Sequence, residues 1–211
     1  EVRVNGLKQI PDEVDFACAE LLRTPKGYYL SITTYINKDL IKSNSKIDET
    51  IGIDFGCQTN FTTSNGDKIN CIVEESERLK RLQRKLNRQS KGSNNYKKTC
   101  HLLKVEYKKM SNKKTDLANK ISHNFLQYKT VVIQDEQLAN WKKTGHGKAI
   151  HHSVMGRVKA KLIQSENVIV LSKYMPTTKL CTNCGTIHDE IKLYNRQFIC
   201  DCGINEDRDI H

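Results

Sequence analysis

The sequence predicts an α/β chain built on a mixed sheet with helices. Three observations carry that prediction. Short apolar runs of the buried-strand type occur at 51–55, 131–133 and 168–171. Between the first two, Leu79, Leu82 and Leu86 recur at i, i+3 and i+7, and Leu102, Leu103, Tyr107 and Met110 continue a helical pattern. Asn65-Gly66, flanked by alternating residues, is the strongest short-range hairpin signal in the chain.

Taken in order, residues 1–48 are β-rich. A short run from Ala17 to Leu22, the turn Pro25-Lys26-Gly27 and a Tyr-, Ile- and Thr-rich run from Tyr28 to Ile36 suit the tail of a preceding wedge-like or oligonucleotide-binding-like domain. Lys38 to Glu49 is polar and reads as a linker. The run Ile51-Gly52-Ile53-Asp54-Phe55-Gly56, a stretch holding Thr59, Phe61 and Thr63, and Lys68 to Val73 give three short strands. Residues 74–122 form a helical hairpin broken at Lys91-Gly92-Ser93-Asn94-Asn95. Val131-Val132-Ile133 leads into Gln134-Asp135-Glu136, Gly145 to Gly147 is loop, 153–163 is helix, and 168–171 is a last apolar strand. The predicted divisions are 49–174 for the core, 175–203 for a cysteine-bearing insert and 204–211 for an acidic end.

A chain of 211 residues can bury a substantial core. No run approaches the roughly 18 apolar residues of a membrane span, which excludes an α-helical integral membrane protein. At 37% hydrophobic with 3 Pro it is not a disordered chain. The first residue is Glu1 and no apolar leader follows, so the expectation is a piece of a longer cytoplasmic protein, associated with the nucleoid of a prokaryotic cell.

The formal charge is +11, and it is localised. Residues 78–114 carry 14 Lys/Arg and one acid, Glu106, a net of +13. Excess charge on one element points to a polyanionic partner, and nucleic acid is the first candidate. Arg78, Arg81, Arg84, Lys85 and Arg88 are the residues selected to touch phosphates. Trp141 and Gly145-His146-Gly147-Lys148 are further candidates for nucleic-acid contact.

Of the 8 Cys, Cys18, Cys57, Cys71 and Cys100 are scattered and read as reduced thiols. Cys181-x-x-Cys184-Gly185 and Cys200-Asp201-Cys202-Gly203 form two knuckles able to supply four thiolates to one Zn²⁺ in a ribbon. The second pair is one residue shorter than the usual C-x-x-C, and His188 is the fallback ligand. Four thiolates leave no open position for water, so this zinc is structural.

Asp54 interrupts an apolar strand, where a carboxylate is costly to bury unless paired or metal-bound. Glu136 closes another apolar strand, and Asp209 lies in an acidic patch with Glu206 and Asp207. Three such acids can converge on hard divalent cations. Two Mg²⁺ held this way activate water and stabilise the leaving oxygen of a phosphodiester. The order strand-Asp, two strands, helices, strand-Glu, helix, strand, Asp is that of an RNase H-like nuclease.

On these motifs the chain resembles the RuvC-type nuclease region of the transposon-encoded TnpB proteins and their relatives, the type V CRISPR effectors. Ile51 to Gly56 matches the first nuclease motif, and Leu79-Lys80-Arg81-Leu82-Gln83-Arg84-Lys85-Leu86 with the turn at 91–95 resembles the basic helix. Val132 to Leu138 resembles the second motif, and Asp207-Arg208-Asp209-Ile210-His211 the third. Glu136 is chosen over Asp135 and Asp209 over Asp207, while His211 stands where the pattern has Asn.

The resemblance implies an RNA-guided DNA endonuclease with guide RNA and target DNA as partners. Asp54 would bridge two Mg²⁺, with Glu136 and Asp209 holding one each. Without the N-terminal region and the helix after Asp209, guided cleavage by this stretch alone is expected to be weak. The alternatives are a guided binding protein that does not cut, and a generic RNase H-fold resolvase or transposase.

Overall fold

The computed structural model describes residues 4–37, 45–141, 143, 145, 147–192, 194–208, 210 and 211. They fall into two compact units, one of residues 1–44 and 76–110, the other of residues 45–75 and 111–211.

The first unit carries a hairpin of β1 (Asp15–Thr24) and β2 (Gly27–Tyr35). The strands pair antiparallel from Asp15↔Tyr35 to Thr24↔Gly27, with a bulge between Phe16 and Cys18. Gly27 at φ 135 makes the tight turn, and the Thr24 hydroxyl donates to its carbonyl at 3.0 Å. The same unit holds α1 (Glu77–Asn87) and the start of α2 (Asn94–Phe125). Ser76 caps α1 by accepting from the Leu79 amide at 3.2 Å, with Glu77 in the first turn and Arg84 and Lys85 in the last, where they suit the helix dipole. Gly92 at φ 83 lets the chain double back, and Ser93 accepts from the Tyr96 amide at the start of α2. Leu79, Thr99 and Leu103 are buried, and Gln83 donates to the Tyr107 hydroxyl at 2.9 Å.

The second unit is organised by a five-stranded sheet in the order β5-β4-β3-β6-β7. Its strands are β3 (Ile47–Phe55), β4 (Phe61–Thr63), β5 (Lys68–Ile69), β6 (Tyr128–Gln134) and β7 (Val168–Leu171). β3, β4 and β5 pair antiparallel, while β6 runs parallel to β3 and β7 parallel to β6, so the sheet is mixed. Strand β3 starts at Ile47, inside the stretch the sequence reads as linker. Its polar residues reach the sheet through backbone pairing with β6 and an Asp48–Lys129 ion pair at 2.7 Å.

Residues of one sheet face, Ile51, Ile53, Phe55, Val131 and Ile133, pack with Ala118, Ile121 and Phe125 of α2 and with Val154, Met155, Val158 and Leu162 in and beside α5 (Met155–Leu162). Phe61 meets Phe55 and Phe125 edge-on, at centroid distances of 5.5 and 5.6 Å. The buried Phe125 takes α2 past its expected end near residue 122. Two short helices, α3 (Leu138–Trp141) and α4 (Gly147–His152), occupy the stretch before α5. Trp141 is half-buried and packs against the core.

A two-stranded ribbon of β8 (Gln197–Ile199) and β9 (Asn205–Asp207) completes this unit. Among the described residues no helix is long and apolar enough to cross a membrane.

Candidate functional site

The pattern Ile51-Gly52-Ile53-Asp54-Phe55 alternates strictly in burial, with the apolar residues in the core and Asp54 exposed on the opposite face. The carboxylate is therefore not buried in the apolar interior, as its setting in an apolar run suggests. Pleating sends it out the other side. Gly56 follows because a Cβ there would lie 2.4 Å from the Thr59 carbonyl oxygen, a contact that only glycine avoids. Asp54 sits opposite Thr62 on β4, and the register Ile53↔Ile133 brings Gln134 of β6 alongside it.

Because β3 and β6 are parallel neighbours, their carboxyl ends lie on one sheet edge, the position where open α/β sheets bind ligands. Asp54 is near that end of β3, and Glu136 follows β6 by two residues. The Glu136 amide donates to the Gln134 carbonyl at 2.8 Å, and its own carbonyl accepts from the Leu138 amide at 3.0 Å and from Lys159 Nζ at 2.7 Å. Its side chain is half-buried. Asp135 points elsewhere: its carboxylate accepts from the same Lys159 Nζ at 2.7 Å, and that hydrogen bond holds the carboxyl below the usual carboxylate range.

A cleft of about 360 Å³ opens on the Asp54 face, lined by Gly52, Asp54, Gln134, Leu180, Ile210 and His211 among others. Asp209 lies outside the described residues, but Arg208 and Ile210 on either side of it line this cleft. Asp207, the acid passed over in the third motif, is on β9 and ion-paired to Lys68 of β5 at 2.9 Å. In both doubly acidic motifs, then, the first acid is held by a lysine. The oxygen donors Asp54 and Glu136 suit a hard cation such as Mg²⁺.

The four predicted zinc ligands do converge. The sulfurs of Cys181, Cys184, Cys200 and Cys202 all lie within 4.8 Å of one another, with Cys181–Cys202 and Cys184–Cys200 at 3.5 Å. A tetrahedron of Zn–S bonds near 2.3 Å needs sulfur separations of about 3.8 Å, so the set fits Zn²⁺. Among the described residues this is the only cluster of three or more metal-ligating groups. The shortened Cys200-x-Cys202 pair works because a hairpin turn carries it: Gly203, at φ 101, donates to the Cys200 carbonyl and Cys200 to the Ile204 carbonyl, both at 2.9 Å. The first knuckle closes the same way, with Gly185 at φ 73 donating to Cys181 and Cys181 to Thr186. Hydrogen bonds at Thr186 pull the Cys184 thiol down to about 6, and a backbone hydrogen bond at Ile204 lowers Cys202. Burial and the neighbouring thiols push Cys200 up to about 12, so the set holds two ready thiolates and one thiol that a metal would have to deprotonate.

His188 is not in the cluster. It stands edge-on to Phe198 at 5.4 Å with Nδ1 2.7 Å from Glu190. His211 stacks flat on Phe198, and its Nε2 is 2.9 Å from the Leu180 carbonyl, next to Cys181. Phe198 itself is fully buried.

On α1, Arg78, Arg81, Arg84, Lys85 and Arg88 are all exposed, while Leu79 is buried. At about 100° per residue the five basic side chains fall within roughly 120° of helix arc. Glu106 on α2 accepts from Lys109 at 2.7 Å and pairs with Arg78 at 3.4 Å.

A family described as probable transposase, OrfB of the IS605 type, matches residues 31–144, more than half of the chain. The chain belongs to that family, the TnpB transposases. A second family, described as Cas12f1-like, TNB domain, matches residues 153–211, the stretch that contains the four cysteines. A protein of Streptomyces pristinaespiralis named "Putative RNA-guided DNA endonuclease" is 30% identical over 171 residues, which is 76% of this chain and 42% of that relative. This TnpB-family chain thus spans less than half the length of the relative it matches.

Sequence reasoning missed three residues of the TnpB-family site. Gln134, Lys159 and Lys68 hold its acids or its ribbon, and none stands in a pattern that marks a partner distant in sequence.

Proposed function

We propose that this chain is the nuclease region of an RNA-guided DNA endonuclease, with an RNase H-like, RuvC-type core that hydrolyses DNA phosphodiesters. The observation that carries the reading is the placement of Asp54 near the end of β3 and Glu136 just past the end of β6, two neighbouring parallel strands, with an open cleft on the Asp54 face. The relative's name points the same way. Asp54 and Glu136, with Asp209 as third acid, would hold two Mg²⁺, which when bound supply activated water and neutralise charge on the leaving oxygen.

The chain's own residues do the rest. Asp54 offers its carboxylate from a strand fixed on both sides by ladder pairing, so it needs little reorganisation to meet a phosphodiester. Gln134 leaves the cleft floor uncharged beside it, which spares an anionic strand from further repulsion. The exposed basic stripe of α1 would bind the backbone of guide RNA or target DNA, independent of sequence. The division into a β-rich tail to residue 48, a core over 49–174 with the basic hairpin at 74–122, a zinc ribbon at 175–203 and the third motif at 204–211 follows from the same reading.

The test is to purify the intact protein with the RNA that accompanies it and incubate it in Mg²⁺ with DNA matching that RNA, beside Asp54→Ala. Cleavage that disappears in Asp54→Ala supports the nuclease. RNA-dependent binding without cleavage would make it a guided binding protein, and a protein without RNA that cuts branched DNA would make it a resolvase-like enzyme.

A further inference from the structure

We infer that Lys159 is a positioning residue that sorts the paired acids of the second motif, engaging the Asp135 carboxylate and leaving that of Glu136 as the one available to a cation. The inference rests on the nuclease reading of Asp54 and Glu136. It is carried by one side chain making two contacts: Lys159 Nζ lies 2.7 Å from Asp135 Oδ1 and 2.7 Å from the Glu136 backbone carbonyl.

The geometry makes the choice between adjacent carboxylates definite. The ammonium binds the side chain of residue 135 and the main chain of residue 136, so a single cation takes up one carboxylate and anchors the backbone that carries the other. Lys159 can do this because its helix is anchored. Val158 and Leu162 are fully buried in the core, and Arg157 donates to Ser111 Oγ at 3.2 Å on α2. With a side-chain exposure of 13%, Lys159 is far more enclosed than the usual surface lysine. The Asp135 amide is held too, donating to the Leu171 carbonyl of β7 at 2.9 Å.

Sorting matters because a run of two acids at one strand end offers a cation two competing ligand sets. A carboxylate engaged by an ammonium is a poor ligand for a divalent ion, since binding the ion would require breaking a charge-assisted hydrogen bond. With Lys159 present, Glu136 is the carboxylate that this motif offers. Without it, Asp135 becomes a second anionic ligand close by, and the Glu136 main chain loses a contact.

The prediction is opposite in sign to that for a stabilising residue. In Lys159→Met the intact protein gains cation affinity while losing cleavage, because the added ligand is misplaced. Mn²⁺ titrations followed by electron paramagnetic resonance should show binding several-fold tighter or one additional ion, together with cleavage slowed roughly ten- to a hundredfold. Lys159→Met combined with Asp135→Asn should return Mn²⁺ binding to the wild-type curve and recover part of the cleavage. Lys159→Arg, which keeps the charge and guards against a folding defect in the Met variant, should bind Mn²⁺ as wild type does. Lys159→Met that binds Mn²⁺ and cleaves like wild type overturns the inference, and so does a parallel loss of both that Asp135→Asn does not relieve. Asp54→Ala separates the two claims. If it leaves Mn²⁺ binding untouched, the nuclease site itself has been misread, whereas an Asp54→Ala defect beside an inert Lys159→Met defeats only the sorting role.

Discussion

His211 lies flat on Phe198, with ring centroids 3.6 Å apart and planes 11° from parallel, and its Nδ1 sits 2.6 Å from Glu206 Oε1. Phe198 also meets His188 edge-on and packs beside Cys181 and Cys200. Among the described residues it is the one fully buried large side chain of this cluster, with Ile191 and Ile204 packed at its edge. Phe198→Ala should cost about 3 kcal/mol of local stability, read as faster zinc loss to a chelator and a lower Tm for the ribbon.

The cysteine geometry predicts one zinc per chain. Elemental analysis should give a ratio of about one, and Cys181→Ser, which removes a buried ligand, should abolish stoichiometric binding. A ratio near zero in freshly purified protein would refute the assignment.

Glu106 is buried among cations, and the Lys109 hydrogen bond holds its carboxyl below the ordinary range. A depressed folded value means that the stabilisation is full above the ordinary carboxylate pKa, near 4.3, and fades as pH falls through the lowered value. Glu106→Gln should lower stability by about 1 kcal/mol at neutral pH, and the gap from wild type should close on acidification below pH 4 or so. Thermal melts across that range decide it.

The basic stripe of α1 makes a salt prediction. Replacing Arg81, Arg84 and Arg88 together by Ala should weaken binding to any nucleic acid of similar form. It should also reduce the slope of log affinity against log salt by about one per charge lost. Fluorescence anisotropy at several salt concentrations measures both. An unchanged slope would place the polyanion elsewhere.

Gln134 spends its amide on the base of the ribbon. Nε2 donates to the Ser172 and Met175 carbonyls at 3.2 and 2.9 Å, and Oε1 accepts from the Thr177 hydroxyl at 3.1 Å. Gln134→Ala should cost about 1–2 kcal/mol and expose the 172–178 stretch to proteolysis while leaving the sheet folded.

Much of this fold was legible in the sequence, and the reasons are physical. The strands at 131–133 and 168–171 were marked by unbroken apolar runs, that at 51–55 by an apolar run interrupted only by Asp54, and α1 by its leucine spacing. The four cysteines announced a shared site because knuckle spacing is a local property. The short helices α3 and α4 carry too few turns to impose a period, so neither is marked in the sequence, where only Gly145 to Gly147 reads as loop. The exposure of Asp54 was written in the alternation of Gly52 and Asp54 with Ile51, Ile53 and Phe55, a period-two pattern hidden by the strand's apolar content. Pairings such as Lys159 with Asp135, or Lys68 with Asp207, join residues with no local signature, and only tertiary packing reveals them.

The parallel pairing of β3 with β6 also has a kinetic consequence. About 80 residues of chain separate Asp54 from Glu136, so pairing β3 with β6 closes a long loop and forms later than the local contacts between them. The helical turns between them form from local contacts and so come first. During synthesis the cation-rich helices would therefore be ready to meet a polyanion before the acids were assembled. In that order the helical segment is in place before the acids at 54 and 136 are brought to one end of the sheet.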